Sequence, residues 1–384
     1  MLLFALLFFG QTIATYRELM DGAMLPDTAV YTFSHSDQLW PVRKVMRGGK
    51  VRPLLASDRQ LTSLAIPSGG RVYDLYDYLS INRVAGLLIL KDGKVVRENY
   101  QLTATAATRW ASFSLAKSMA GTLIGAALVD GHIKSLEDRV EQYVPELASG
   151  SYAKVTVRQL LQMASGVKWD ETYTDAKSDR RQLLELQLKG EPGSTLKFMN
   201  SLPQATEAGM VWKYSTGETF VLGALIEKAT KRPLAQYLSE KLWSRLGMEQ
   251  DATWWTETQN GMGFGGTGVS ATLRDYGRFG QFVLEGGKGV VPSGWFEEAS
   301  RRQVLGGKPV EYGYLWWTIP STDPIHTGAF RAVGIFGQFI YINPAERLVI
   351  VVLSARPKPV GINPVVDNEF FGAVSNALGS ACMH

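Results

Sequence analysis

Four Ser–x–x–Lys pairs punctuate the sequence, at Ser114/Lys117, Ser151/Lys154, Ser165/Lys168 and Ser194/Lys197. On a helix such a pair places a hydroxyl and an amine one turn apart on the same face. The lysine can then act as base for a serine nucleophile without histidine. Spacing alone does not choose among the four, but surroundings do. Residues 114–129 (SLAKSMAGTLIGAALV) are apolar nearly all round and read as a buried helix. Asp130-Gly131 closes it with a glycine stop. Ser151 follows Gly150 in a polar turn, Ser165 precedes Gly166 where a helix should end, and Ser194 follows Pro192-Gly193 in a loop. Only Ser114 has both a helix to align its lysine and a core to desolvate it.

Burial disfavours the ammonium form, so Lys117 among apolar neighbours can lose its proton near neutral pH and accept one from the Ser114 hydroxyl. The free N–H groups and positive dipole end of the helix favour an oxyanion forming beside Ser114. A competing reading of the same residues makes Ser114 a helix N-cap and sends the Lys117 side chain out to solvent.

Two other segments can complete such a site. Trp212-Lys213-Tyr214-Ser215-Thr216-Gly217 precedes a helix, and Tyr214 there can relay protons, its phenol acidified by a neighbouring ammonium. The alternative is an aromatic loop residue bonded to backbone. Gly334-Ile335-Phe336-Gly337-Gln338 enters a C-terminal strand, and its glycines let backbone approach a ligand closely. The alternative there is a β-bulge at a strand start.

These residues have to be positioned by the elements around them. Residues 86–90, Asp92-Gly93 and residues 94–96 form a strong hairpin pattern, and residues 338–342 and 348–353 flank Asn343-Pro344 as a second one. A helix-like stripe runs through 70–83, and a last helix covers about 367–378. The middle is mostly helical, over 157–163, 181–188, 218–230, a segment from Pro233 to Leu246-Gly247, and 272–284. Residues 15–68 read as an extended lead-in. Strands at both ends around a helical middle predict an α+β fold, with an antiparallel sheet built by both termini. The expected organisation is a leader in 1–14 and one catalytic unit in 15–384. Its α/β part is about 69–110 and 310–384, and its helical part about 111–309.

Composition narrows the function. A chain of 384 residues with 45% hydrophobic content buries a large core. The net charge of +4 is spread out, and groupings as short as Arg301-Arg302 make no nucleic-acid patch. Of four histidines, only His326 sits where a site is plausible, and no G-x-S-x-G elbow occurs, so a Ser–His–Asp triad has little material. H-E-x-x-H, C-x-x-C and G-x-x-x-x-G-K-[ST] are absent, and Cys382 is the sole cysteine. The glycine-rich stretch 261–268 follows no clear strand, which disfavours nucleotide binding. No metal or organic cofactor is implied. The apolar run 1–10 is too short to span a membrane and lacks a positive n-region. It reads as a truncated signal peptide, hence a periplasmic or secreted protein. The alternative is an N-terminal arm in a cytoplasmic one.

Taken in order, the three segments resemble the serine β-lactamase/penicillin-binding-protein superfamily, in the branch of class C β-lactamases and family VIII esterases, and most of all the 6-aminohexanoate-dimer hydrolase type. The resemblance covers about 84–360. It includes Asp130-Gly131-His132-Ile133, Tyr143-Val144-Pro145-Glu146-Leu147 and Val157-Arg158-Gln159-Leu160-Leu161-Gln162-Met163. It implies a serine hydrolase of small esters or amides, with Ser114 as nucleophile, Lys117 as base and Tyr214 as relay to the leaving group. The backbone N–H groups of Ser114 and Ile335 would form the oxyanion hole. Tyr173, in the loop Asp170-Glu171-Thr172-Tyr173, would close over a bound amide, and Ser215, Gly334, Phe336 and Gly337 would contact substrate. The sequence also departs from the pattern. Tyr-x-Asn appears as Tyr214-Ser215-Thr216, and no Lys-Thr-Gly precedes the last strand. If His326-Thr327-Gly328 is its remnant, the oxyanion N–H moves away from Ile335. A D-alanyl peptidase or β-lactamase is the alternative within the superfamily, and a non-catalytic binding protein of the same fold the alternative outside enzymes.

Overall fold

The computed structural model describes residues 13–320, 323–361 and 363–379. Its centre is a six-stranded antiparallel sheet in the order Trp317–Thr318, Phe330–Gly334, Gln338–Asn343, Leu348–Ser354, Val84–Lys91, Lys94–Tyr100. The C-terminal strands therefore lie beside the N-terminal hairpin, as the pattern of strands around a helical middle predicts. Asp92 and Gly93 both take positive φ (53° and 76°), the geometry of a two-residue turn matching strand twist.

Alternation along the strands assigns their two faces. Leu88, Leu90, Val349 and Val351 face the helical region, against the helix Leu273–Leu284. Leu87, Ile89, Ile350 and Val352 face the helices Leu75–Ile81 and Asp367–Leu378, where Tyr78 stacks on Phe370 at 3.7 Å. Both faces are covered, so these strands read as continuous apolar runs. Burying each such side chain stabilises the fold by roughly 1.5–3 kcal/mol.

A second, four-stranded antiparallel sheet sets up the site, in the order Val42–Val45, Ala252–Trp255, Val269–Thr272, Arg109–Ala111. Its last strand runs directly into the turn bearing Ser114, and the Ser112 amide donates to the Val269 carbonyl at 2.8 Å. The helix Ala116–Val129 follows, buried on every side over most of its length.

Residues 15–68 differ from an extended lead-in. They contain the helices Tyr16–Asp21, capped by a Thr15/Glu18 box, and Pro26–Ser34, and the strand Val42–Val45 pairs with Ala252–Trp255. Helices of six and nine residues are shorter than the window over which helical periodicity emerges. The segment read as a leader falls mainly on residues 1–12, outside the described residues. Ala14 at its end is buried, and its amide donates to Thr32 Oγ1 at 3.0 Å. Among the described residues no helix is long and apolar enough to cross a membrane.

Candidate active site

Ser114 sits at a forced corner. Phe113 has φ 46°, a conformation that strains a bulky residue, and the short turn Phe113–Leu115 leads into the helix Ala116–Val129. Packing holds the corner: the Phe113 ring is buried edge-on to Phe33 at 4.9 Å and against Phe336 at 5.3 Å. Ser114 makes no helix cap, because Leu115 is the residue before the first helical turn and no side chain caps it.

Lys117 does not reach solvent, with 2% of its surface exposed. Its Nζ lies 3.0 Å from Ser114 Oγ, 3.1 Å from Thr216 Oγ1 and 2.7 Å from the Gly266 carbonyl. Burial brings its pKa down to about 7, against an opposing pull from the Glu171 carboxylate and with a smaller contribution from Arg180. The proton inventory fixes how the amine points. Thr216 Oγ1 donates its own hydrogen to Glu171, so it can only accept from Lys117, and the Gly266 carbonyl only accepts. A neutral amine therefore spends its two hydrogens on Thr216 and Gly266, leaving its lone pair for the Ser114 hydroxyl.

Glu171 anchors this arrangement. It accepts from the Thr216 amide at 2.8 Å, from Thr216 Oγ1 and from Trp169 Nε1. Thr216, the third residue of Tyr214-Ser215-Thr216, is thus a direct partner of the lysine. Thr216, Glu171 and Gly266 are absent from the site expected on sequence grounds. The only signals for them are the loop 170–173 and the glycine-rich stretch 261–268, neither of which points to a lysine.

Tyr214 lies over the lysine, with Nζ 5.2 Å from its ring centroid, and it stacks on Trp317 at 5.6 Å. Its phenol is not acidified. Burial, and then the Glu171 charge, raise its pKa well above the ordinary value, opposed by a hydrogen bond with Ser114. The amine expected to acidify it, Lys117, has its own pKa brought down to about 7 and does not lower the Tyr214 pKa. Tyr214 consequently holds its proton and can donate it.

Ser114, Tyr173, Tyr214, Gly334, Ile335 and Gly337 line one cavity of about 680 Å³. Gly334 is required there, since a Cβ would stand 2.3 Å from the Ser112 carbonyl. The strand end can thus reach the Ser114 corner only without a side chain. Gln338 ties the following turn down: its Nε2 donates to the Ile335 carbonyl at 3.2 Å and to the Ser354 carbonyl at 2.8 Å. Burial raises the Tyr173 phenol pKa, and its carbonyl accepts from Arg181 at 2.9 Å.

Two expected contact residues face elsewhere. Ser215 is buried, with its hydroxyl accepting from the Glu218 amide at 3.1 Å as the cap of the helix Thr216–Thr230. Phe336 is fully buried and packs on Phe33 and Phe113, so its ring braces the Ser114 corner from behind. Its positive φ of 63° is what turns it inward. His326-Thr327-Gly328 is no substitute for the Ile335 segment. His326 is buried against the C-terminal helix, 3.0 Å from the Tyr341 hydroxyl, and does not line the cavity. The remaining Ser–x–x–Lys serines are bonded to Leu202, Glu218 and Glu257, and Lys154, Lys168 and Lys197 are exposed.

The sequence profile of the family described as Beta-lactamase matches residues 82–366. The 6-aminohexanoate-dimer hydrolase of Paenarthrobacter ureafaciens is 31% identical over 362 residues, which are 88% of this chain and 84% of that protein. Among solved structures, one from Bacillus anthracis assigned as a 6-aminohexanoate-dimer hydrolase superposes with a TM-score of 0.81 at 24% identity, covering 95% of this chain and 96% of the other. EstCE1, described as a hydrolase with promiscuous acyltransferase activity, gives 0.63 at 15% identity over 79% and 96%.

Proposed function

We propose, from the premise that this chain belongs to the beta-lactamase family and is a serine hydrolase, that hydrolysis runs through an acyl-enzyme on Ser114. The observation that carries the reading is the buried Lys117 amine, 3.0 Å from Ser114 Oγ and poised to titrate near pH 7. Neutral Lys117 takes the Ser114 proton as Oγ attacks the carbonyl. The oxyanion forms between the Ser114 and Ile335 amides. Tyr214 gives its proton to the leaving amine or alcohol as the tetrahedral intermediate collapses, and recovers one from the Lys117 ammonium. Water then attacks the ester by the reverse route, freeing the acid.

The proposed substrates are small esters or linear amides, 6-aminohexanoate-type oligomers among them, given the relative that covers most of the chain. We place both catalytic halves in one unit over 15–384, since the strand Phe330–Gly334, which leads into Ile335, and the helix bearing Lys117 meet at Ser114. The test is a panel of p-nitrophenyl butyrate, a 6-aminohexanoate dimer and nitrocefin, with wild type and Ser114→Ala. Turnover of the ester or the dimer, lost in Ser114→Ala, is expected. Nitrocefin as the preferred substrate would move the assignment to β-lactam chemistry.

A further inference from the structure

The cavity that opens on Ser114 has a basic far end. The strand Phe330–Gly334 sends alternate side chains to one face, so Arg331 and Val333 line the cavity in series with Ile335. At about 3.3 Å per residue, Arg331 stands ~13 Å up the strand from Ile335. Its Nη1 donates to Asn368 Oδ1, its guanidinium carbon lies 5.7 Å over the Phe339 ring, and its Nε is buried without a hydrogen-bond partner. Among the described residues no carboxylate forms an ion pair with it. The acid beside it, Asp367, is already held by Arg356 at 2.6 and 2.9 Å and by the Tyr78 hydroxyl at 2.9 Å. Lys358 on the same wall spends its amine on the Gly22 carbonyl. A guanidinium with a buried, idle N–H, beside a single carboxylate that is already bound by Arg356, is under-compensated, and a carboxylate is the group whose shape fits its fork.

We propose that Arg331 receives the terminal carboxylate of a linear substrate whose scissile carbonyl lies at Ser114, making the enzyme selective for chains that carry an acid roughly one strand-length away. The inference rests on Ser114 as nucleophile. Such a carboxylate can belong to the leaving chain, as in an amide of an ω-amino acid, or to the acyl chain, as in the half-ester of a dicarboxylic acid.

Two substrate pairs separate these sources. One is the 6-aminohexanoate dimer against its C-terminal carboxamide, and the other is the mono-p-nitrophenyl ester of adipic acid against p-nitrophenyl hexanoate. Wild type should prefer the acid in one pair by roughly tenfold to a hundredfold in kcat/KM, the range for a charge-assisted contact. In Arg331→Gln that ratio should fall toward one, and Arg331→Lys should retain part of it. Because each ratio is taken within one protein sample, the folded fraction cancels. Equal rates within both pairs in wild type, or a ratio that survives Arg331→Gln, overturn the inference while leaving Ser114 catalysis intact. A wild type inert toward p-nitrophenyl butyrate and all four compounds refutes the Ser114 reading, and the inference with it.

Discussion

Replacing Lys117 with methionine should destroy activity and stabilise the fold, in a pH-dependent way. The folded-state pKa falls from 10.5 to about 7, chiefly through burial. At ~1.36 kcal/mol per pKa unit, keeping this group inside costs about 5 kcal/mol at neutral pH and below. Between about pH 7 and 10.5 the unfolded chain holds a proton that the folded chain lacks, so wild-type stability rises with pH across that window. Below about pH 7 both states hold it and the penalty is complete. Methionine removes the penalty but leaves the Gly266 carbonyl without its 2.7 Å donor, a loss of about 1–3 kcal/mol. The net expectation is a variant about 2–4 kcal/mol more stable than wild type at pH 6, with the advantage shrinking or reversing by pH 10. Urea unfolding followed by tryptophan fluorescence at pH 6, 8 and 10 reads this difference directly. A variant less stable than wild type at pH 6, or a difference unchanged between pH 6 and 10, would refute the reasoning.

Four other outcomes follow from the same geometry. Esterase kcat/KM should rise through an apparent pKa near 7 as Lys117 becomes neutral. Lys117→Arg, whose guanidinium stays charged, should lose acylation altogether, and near-native turnover in that variant would exclude Lys117 as base. Glu171→Gln should move the rising limb to lower pH, because the Glu171 charge favours the ammonium, and an unmoved or upward-shifted limb would deny that influence. Gly334→Ala places a methyl 2.3 Å from the Ser112 carbonyl and should push Ile335 away from Ser114, lowering kcat by about a hundredfold; a wild-type kcat would show that this approach is not needed.

Much of this frame is legible in the sequence because it is local. The Asp92-Gly93 hairpin and the closing helix Asp367–Leu378 follow from turn chemistry and periodicity, and Ser114 is singled out by the apolar run after it. What sequence reasoning misses depends on contacts between distant segments. Thr216 becomes a lysine ligand only because Glu171, 45 residues away, takes its hydrogen. The Tyr214 phenol stays protonated because burial and the charge of Glu171, 43 residues away, raise its pKa, which its own loop sequence cannot reveal. Phe336 sits in a cavity-lining motif, yet its positive φ turns the ring into the core, so neighbours in one motif face opposite ways.

The central claim is that Ser114 carries the acyl group, and covalent capture tests it most directly. A fluorophosphonate probe, followed by proteolysis and mass spectrometry, should place a single adduct on the peptide containing Ser114, formed faster at pH 8 than at pH 6. Ser114→Ala should remain unlabelled. An adduct on any other residue, or equal labelling of Ser114→Ala, would contradict it.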